Sequence, residues 1–206
     1  MSKELQIGKR RIEWPILQGA MSLGGSTERL ASAVTNEGGA GTIGGSGLGY
    51  PEYMKEHKLP FDKEHFDIAN REALRETIRR THLLTNRGVF GVNVLYAVRD
   101  FAGLAKVVFE EGTPFFACGA GVATDLPKLA EGYPGTALAP IASSKPIAKM
   151  IVHQWGDLGR LPDLLIIEGP KAGGHLGIKE KNLEDPKHDL AHTVHEVKEF
   201  LDREGL

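Results

Sequence analysis

The run Val89-Phe90-Gly91-Val92-Asn93-Val94, a helical stretch over 100–111 that closes at Gly112, and then Pro114-Phe115-Phe116-Ala117-Cys118 decide how this chain folds. Both flanking runs are short and apolar, rich in branched or aromatic side chains, and read as buried strands. A helix between two buried strands is the crossover that lets them lie parallel in one sheet.

Outward from that unit the pattern repeats. Further strands are predicted at 12–18, 40–44, 137–141 and 164–167. Helices are predicted after Ser26 and Glu28, where Leu30, Ala31 and Val34 share a face before Gly38-Gly39, and at 70–84, 125–131, 145–155 and 190–203. Six successive strand-helix units of this kind imply an α/β fold with a parallel sheet, either doubly wound and open or closed as a (β/α)8 barrel. Both architectures bind ligands at the strand C-termini. The segments there hold the unusual residues: Gly19-Ala20-Met21, the stretch 44–49, Asn93, the stretch 119–121, Ser143-Ser144 and the stretch 168–177. Residues 45–69 form one polar insertion carrying Tyr50, Tyr53, Leu59-Pro60, Phe61 and Phe66. It reads either as a lid over the ligand end or as a surface excursion pinned by its aromatics.

Composition narrows the function class. With 206 residues and 41% hydrophobic content the chain can bury one core, so 1–206 is read as a single domain. A formal net charge of −2 gives no electrostatic footprint for nucleic acid or an anionic membrane. The N-terminus lacks a signal-peptide core and no apolar run approaches the ~20 residues of a membrane helix, so a cytoplasmic protein acting on a small molecule is expected. The one cysteine, Cys118, excludes an intrachain disulfide. The 26 glycines, roughly twice the usual share, cluster where apolar runs end, which means that backbone passes close to something there.

Gly39-Ala-Gly41-Thr-Ile-Gly44 fits G-x-G-x-x-G, yet its glycines begin in a helix-ending turn and run through a strand, the reverse of a dinucleotide fingerprint. The strongest signal is Ile166-Ile167-Glu168-Gly169-Pro170-Lys171-Ala172-Gly173-Gly174-His175-Leu176-Gly177. A buried strand ends in a carboxylate, and a glycine pair then presents His175, the only imidazole on these loops, next to backbone that can approach a planar ligand. Such an imidazole suits proton transfer beside a redox cofactor. Asn93 ends its strand with an amide able to donate and accept, and Gly19, Ala20 and Met21 let main chain lie against a ring. His188, His192 and His195 have the spacing of one helical face, read here as a solvated outer helix rather than a metal site. Cys118 reads as a packed small residue.

In this order, Pro15-Ile16-Leu17-Gln18-Gly19-Ala20-Met21, the glycine-rich 38–44, the strand 90–94 and Glu168 through Gly177 resemble the nitronate monooxygenase family of FMN enzymes, formerly nitropropane dioxygenases. The resemblance implies an FMN-binding TIM barrel. It implies that Gly19, Ala20 and Met21 lie against the flavin, that Asn93 bonds its edge, that Glu168, Gly173 and Gly174 belong to the cofactor site, and that His175 is catalytic. Where some relatives carry a basic residue in the fifth strand, this chain has Pro140, with Ser143, Ser144 and Lys145 beyond it. The activity implied is oxidation of an alkyl nitronate with O2. Enoyl-acyl-carrier-protein reductases and NADH:quinone reductases share the scaffold, so an NADH-dependent flavin reductase is the alternative enzyme, and an inactive fragment or interaction module the non-enzymatic one.

Against an eight-unit barrel the sequence supplies about six units, so an incomplete barrel lacking strands seven and eight is expected. Those strands carry the usual phosphate site, and FMN binding is expected to be weaker by orders of magnitude. Exposed strand edges would favour self-association or a partner that supplies the absent units.

Overall fold

The computed structural model describes residues 5–56, 62–175 and 177–206. Leu59, Pro60 and Phe61 of the insertion, and Leu176 of the histidine loop, lie outside the described residues.

The chain opens with an antiparallel hairpin, β1 (Leu5–Ile7) and β2 (Arg10–Ile12), turned at Gly8. Then follow α1 (Glu28–Asn36), β3 (Ala40–Gly44), α2 (Tyr50–Glu56), α3 (Lys63–Leu84), β4 (Val89–Leu95), α4 (Phe101–Glu110), β5 (Phe115–Gly119), α5 (Leu126–Leu129), β6 (Ala137–Ala142), α6 (Lys145–Asp157), β7 (Ile166–Ile167) and α7 (Leu190–Glu204). Strands β3 to β7 form one parallel sheet in sequence order, with helices packed on its outer face. Sequential parallel pairing with no reversal of strand order is barrel topology, and the doubly wound alternative is excluded. The fold is an incomplete (β/α)8-type barrel of five parallel strands.

The predicted first strand is the main departure. Of residues 12–18 only Leu17 bridges β3, opposite Ala40, supported by bonds from Gln18 N to Ala40 O (2.9 Å) and from Ala40 N to Ile16 O (2.9 Å). Pro15 supplies no N–H, and the Ile16 N–H turns back to Trp14 O at 2.6 Å, so the ladder cannot start earlier. Ile12 instead belongs to the hairpin. The insertion also differs from its expected irregularity: α2 lies within it, and α3 starts at Lys63 rather than residue 70 because Asp62 caps it, accepting from the Glu64 and His65 N–H groups. Tyr53 is buried with its ring edge-on to Phe66, 5.6 Å between centroids.

Two apolar layers follow from the strand alternation. Ile43, Phe90, Val92, Val94, Phe116, Cys118 and Leu138 face the helices and pack on Leu74, Ile78, Leu104, Val108 and Trp155. Ala40, Val89, Phe115, Ala117, Ala137 and Ala139 face inward, and Ile7 and Ile12 of the hairpin close over them at the N-terminal end of the sheet. Arg10 fastens the hairpin there by donating to Pro114 O (3.3 Å) and Gly135 O (2.8 Å). The glycines of 39–44 are packing devices. A Cβ on Gly41 would lie 1.9 Å from Ala31 O of α1. No helix is long and apolar enough to cross a membrane among the described residues.

Candidate functional site

The histidine loop is tied shut at its base. Glu168 N continues the β7 pairing by donating to Ala142 O, and the Glu168 carboxylate accepts from Gly177 N at 2.9 Å. Ser143, buried just after β6, donates its hydroxyl to Gly177 O at 2.8 Å. Gly177 must be small for this clasp, since a Cβ would meet Ser143 Oγ at 2.6 Å. Between the clasped ends, Gly173, Gly174 and His175 stand exposed, with open space around both glycines and Gly174 at φ +92°. Glu168 is thus engaged in holding the loop, a role the sequence reading did not give it.

On the opposite side, Gln18 organises the first loop. Its Oε1 accepts from Thr42 N at 2.9 Å, and its Nε2 donates to Gly19 O and to Ser26 Oγ. Met21 N donates to Ser26 Oγ (3.0 Å), and Ser26 N returns a bond to Met21 O (3.0 Å). This brings the Met21 carbonyl against Gly44, where a Cβ would lie 2.1 Å away. Gly44 stands opposite Asn93 in the β3–β4 register. Met21, Gly44 and Asn93 therefore form one contiguous patch at the strand C-termini, while the Met21 side chain is 62% exposed.

Ser46, buried in the next loop, staples the neighbouring segments, accepting Leu95 N on Oγ (3.1 Å) and Leu23 N on its carbonyl (3.0 Å). Leu23 is held at φ +56°, uncommon for a branched side chain. Between these loops and α3 opens a cavity of about 570 Å³, lined by Leu23, Ser46, Phe66, Leu95, Leu104 and His175 among others. His175, Leu23 and Leu95 thus meet at one cavity, each one or two residues from a member of the Met21–Asn93 patch or belonging to the histidine loop, whereas Glu168, Gly173 and Gly174 do not line it. Sequence reasoning placed Gln18, Ser46 and Ser143 at the strand ends but missed the bonds they make. Their only signal was a polar residue next to glycine or strand ends, which any surface loop also shows.

Charges rim the cavity in pairs. Arg99 meets Asp67 and donates to the Lys63 carbonyl, and Arg71 meets Asp100 at 3.0 Å. Burial raises the Asp100 carboxyl above its ordinary range; the Asp67 charge adds to this, and Arg71 opposes it. Burial, with the Asp125 charge, pushes the Cys118 thiol up to about 12, so no nucleophilic thiolate forms there. Lys145 opens α6 and faces Glu196 of α7 at 3.4 Å, and Pro140 lies in β6. His188 sits in a 3-10 turn before α7, off the helical face expected for it, while His192 and His195 approach Glu196 and Glu199. No group of three or more metal-ligating side chains comes together among the described residues.

The inner face at this end suits a flat, polar-edged ring. Gly44, Ala117, Gly119 and Ala139 leave it shallow. The half-buried Asn93 amide makes no hydrogen bond among the described residues, and the buried Thr42 Oγ1 has no partner. The donor and acceptor set of a flavin's pyrimidine edge fits the uncommitted Asn93 amide, while Thr42 Oγ1 is sealed beneath the surface.

Among curated proteins none matches the chain significantly. Solved structures do. FabK from Thermotoga maritima is 29% identical, with 81% of this chain and 44% of that one covered at a TM-score of 0.61. A single-substitution mutant of that FabK gives 28% identity, coverage of 91% and 51%, and a TM-score of 0.66. The nitroalkane oxidase from Streptomyces ansochromogenes gives 21% identity, coverage of 93% and 57%, and a TM-score of 0.68, a likeness of fold. The chain thus spans about half the length of the solved proteins it matches. The family model described as nitronate monooxygenase matches residues 3–201, nearly the whole chain, and the chain belongs to that family of flavin-dependent oxidoreductases.

Proposed function

We propose that the site binds FMN and serves the oxidation of alkyl nitronates by molecular oxygen, with His175 as acid/base. The observation that carries this is the meeting of the clasped His175 loop with the segments next to Met21, Gly44 and Asn93 at one cavity. Gly19, Ala20 and Met21 give the ring a main-chain bed, Asn93 offers it hydrogen bonds, and Gly173 and Gly174 let backbone approach it. When bound, FMN supplies the acceptor for the electrons leaving the substrate. His175, exposed on its loop, donates a hydrogen bond to the anionic nitro group of the nitronate, whose carbon has already given up its proton, and as an acid supplies a proton to dioxygen as it is reduced. Glu168 acts through the clasp, fixing where His175 stands.

Stopped-flow absorbance of the FMN-loaded chain tests this. Bleaching of the flavin by a nitronate under anaerobic conditions is expected; rapid bleaching by NADH, with none by nitronate, would assign the site to a flavin reductase instead. His175→Ala is expected to lower turnover at least ~100-fold while FMN loading persists. Unchanged turnover in that variant removes His175 from the chemistry.

A further inference from the structure

The cavity lined by His175 runs into the helix layer. Its lining includes exposed Leu23 at the surface and Leu104 of α4, which is 1% exposed and belongs to the packed core. Phe66, Leu95 and Val98 complete walls that are largely hydrocarbon. At about 570 Å³ it lies within the roughly 300–1,000 Å³ range of small-molecule sites. A two-carbon substrate reacting at His175 would leave most of this space unfilled. Most of the wall is apolar, and the charged residues that line it, Lys63 apart, are paired, Arg99 with Asp67 and Asp100 with Arg71, so a polar occupant would lose its hydration with little compensation. At the rim, Lys63 is exposed and forms no ion pair among the described residues, whereas Arg99 is taken by Asp67.

We propose that this cavity holds the straight alkyl chain of a medium-length substrate, with its anionic head kept between His175 and Lys63. The inference rests on the proposed reaction for the identity of the head, and on the cavity alone for the chain. Burial of each further methylene strengthens binding by about fourfold, until the cavity is full. Chain length is then read by Leu95, Val98 and Leu104 rather than by the reacting centre.

The test is calorimetric titration of the chain with acetate, butanoate, hexanoate and octanoate, non-oxidisable anions of increasing length, beside kcat/KM for primary nitronates of two to eight carbons. The dissociation constant is expected to fall about fourfold per methylene. Val98→Trp, which fills the cavity, is expected to flatten that series, and Lys63→Gln to weaken every member alike. Affinity independent of length, or the full increment retained in a Val98→Trp protein with native circular dichroism, overturns the proposal. Should Val98→Trp fail to fold, Leu95→Phe and the wild-type series decide it. A series unmoved by Lys63→Gln overturns the placing of the head. Length-dependent carboxylate binding without oxidation of any nitronate supports the pocket and defeats the reaction; nitronate oxidation with kcat/KM flat in chain length defeats the pocket and leaves the reaction standing.

Discussion

Two glycines of similar appearance in the sequence have opposite tolerance for a methyl group. At Gly44 a Cβ would overlap the Met21 carbonyl, 2.1 Å away, so Gly44→Ala must push the first loop off the strand end. We expect a loss of about 1–3 kcal/mol, read as a lower urea midpoint at unchanged m. Gly173 meets open space, and Gly173→Ala is expected to stay within about 0.5 kcal/mol of wild type. Equal midpoints for the two variants would show that the loop does not rest on Gly44. Sequence context was enough to reject a dinucleotide fingerprint over 39–44, because the glycines fall within a strand. Which backbone each glycine meets was not legible, since Ala31 and Met21 reach them only through tertiary packing. His175 stood out for its glycine neighbours. The bonds of Gln18 and Ser143 were not legible, because their partners Thr42 and Gly177 lie 24 and 34 residues away.

The helices show the same division. Periodicity placed α4 within a residue of its bounds, yet α3 begins well before residue 70 because an Asp62 cap outweighs a polar, weakly patterned first turn. Residues 12–18 look like a strand by composition, but Pro15 leaves the ladder only its last rungs. Between α3 and α4 lies a charge cluster: Glu111 bonds Arg75 at 2.5 Å and Arg79 at 2.8 Å. Burial works against ionisation of Glu111, but bonds from Arg79 and Arg75 outweigh it and hold its carboxyl below the ordinary 4.5. A depressed folded-state pKa means stability that is complete above 4.5 and is lost as pH falls through the lower folded value. Glu111→Gln should therefore cost about 2 kcal/mol at neutral pH and flatten the acid limb of stability below about pH 4.5. An unaltered acid limb in urea denaturation across pH 2–6 would mean the pair is solvated.

At the scale of the molecule, the sheet of five parallel strands is bordered on one side by the short Leu17 bridge to β3 and on the other by β7, whose outer edge pairs with no strand among the described residues. On one side Ile16 is 61% and Trp14 47% exposed beside a groove formed with Val34 of α1; on the other, β7 has two residues, and Leu165 and Ile167 border a groove along α7. Exposed strand edges flanked by apolar helix faces are pairing templates. We expect the chain to self-associate or to take up a partner along these borders, so that sedimentation velocity shows species whose proportions change with concentration. A single monomeric boundary across a hundredfold range would contradict this. Alternation of strands and helices made the parallel sheet legible from composition, whereas the hairpin under it was hidden: Ile7 and Ile12 are too few apolar residues to announce strands of their own.

That hairpin also has a consequence in time. Arg10 is secured by carbonyls 104 and 125 residues further on, and Ile7 shares an apolar cluster with Ala137. At ribosomal speeds of about 5–20 residues per second, the hairpin waits on the order of 6–25 seconds before the chain that receives it exists. During that interval Ile7 and Ile12 lack the apolar layer that covers them in the fold, and the step that seals the sheet joins the hairpin to a strand made much later.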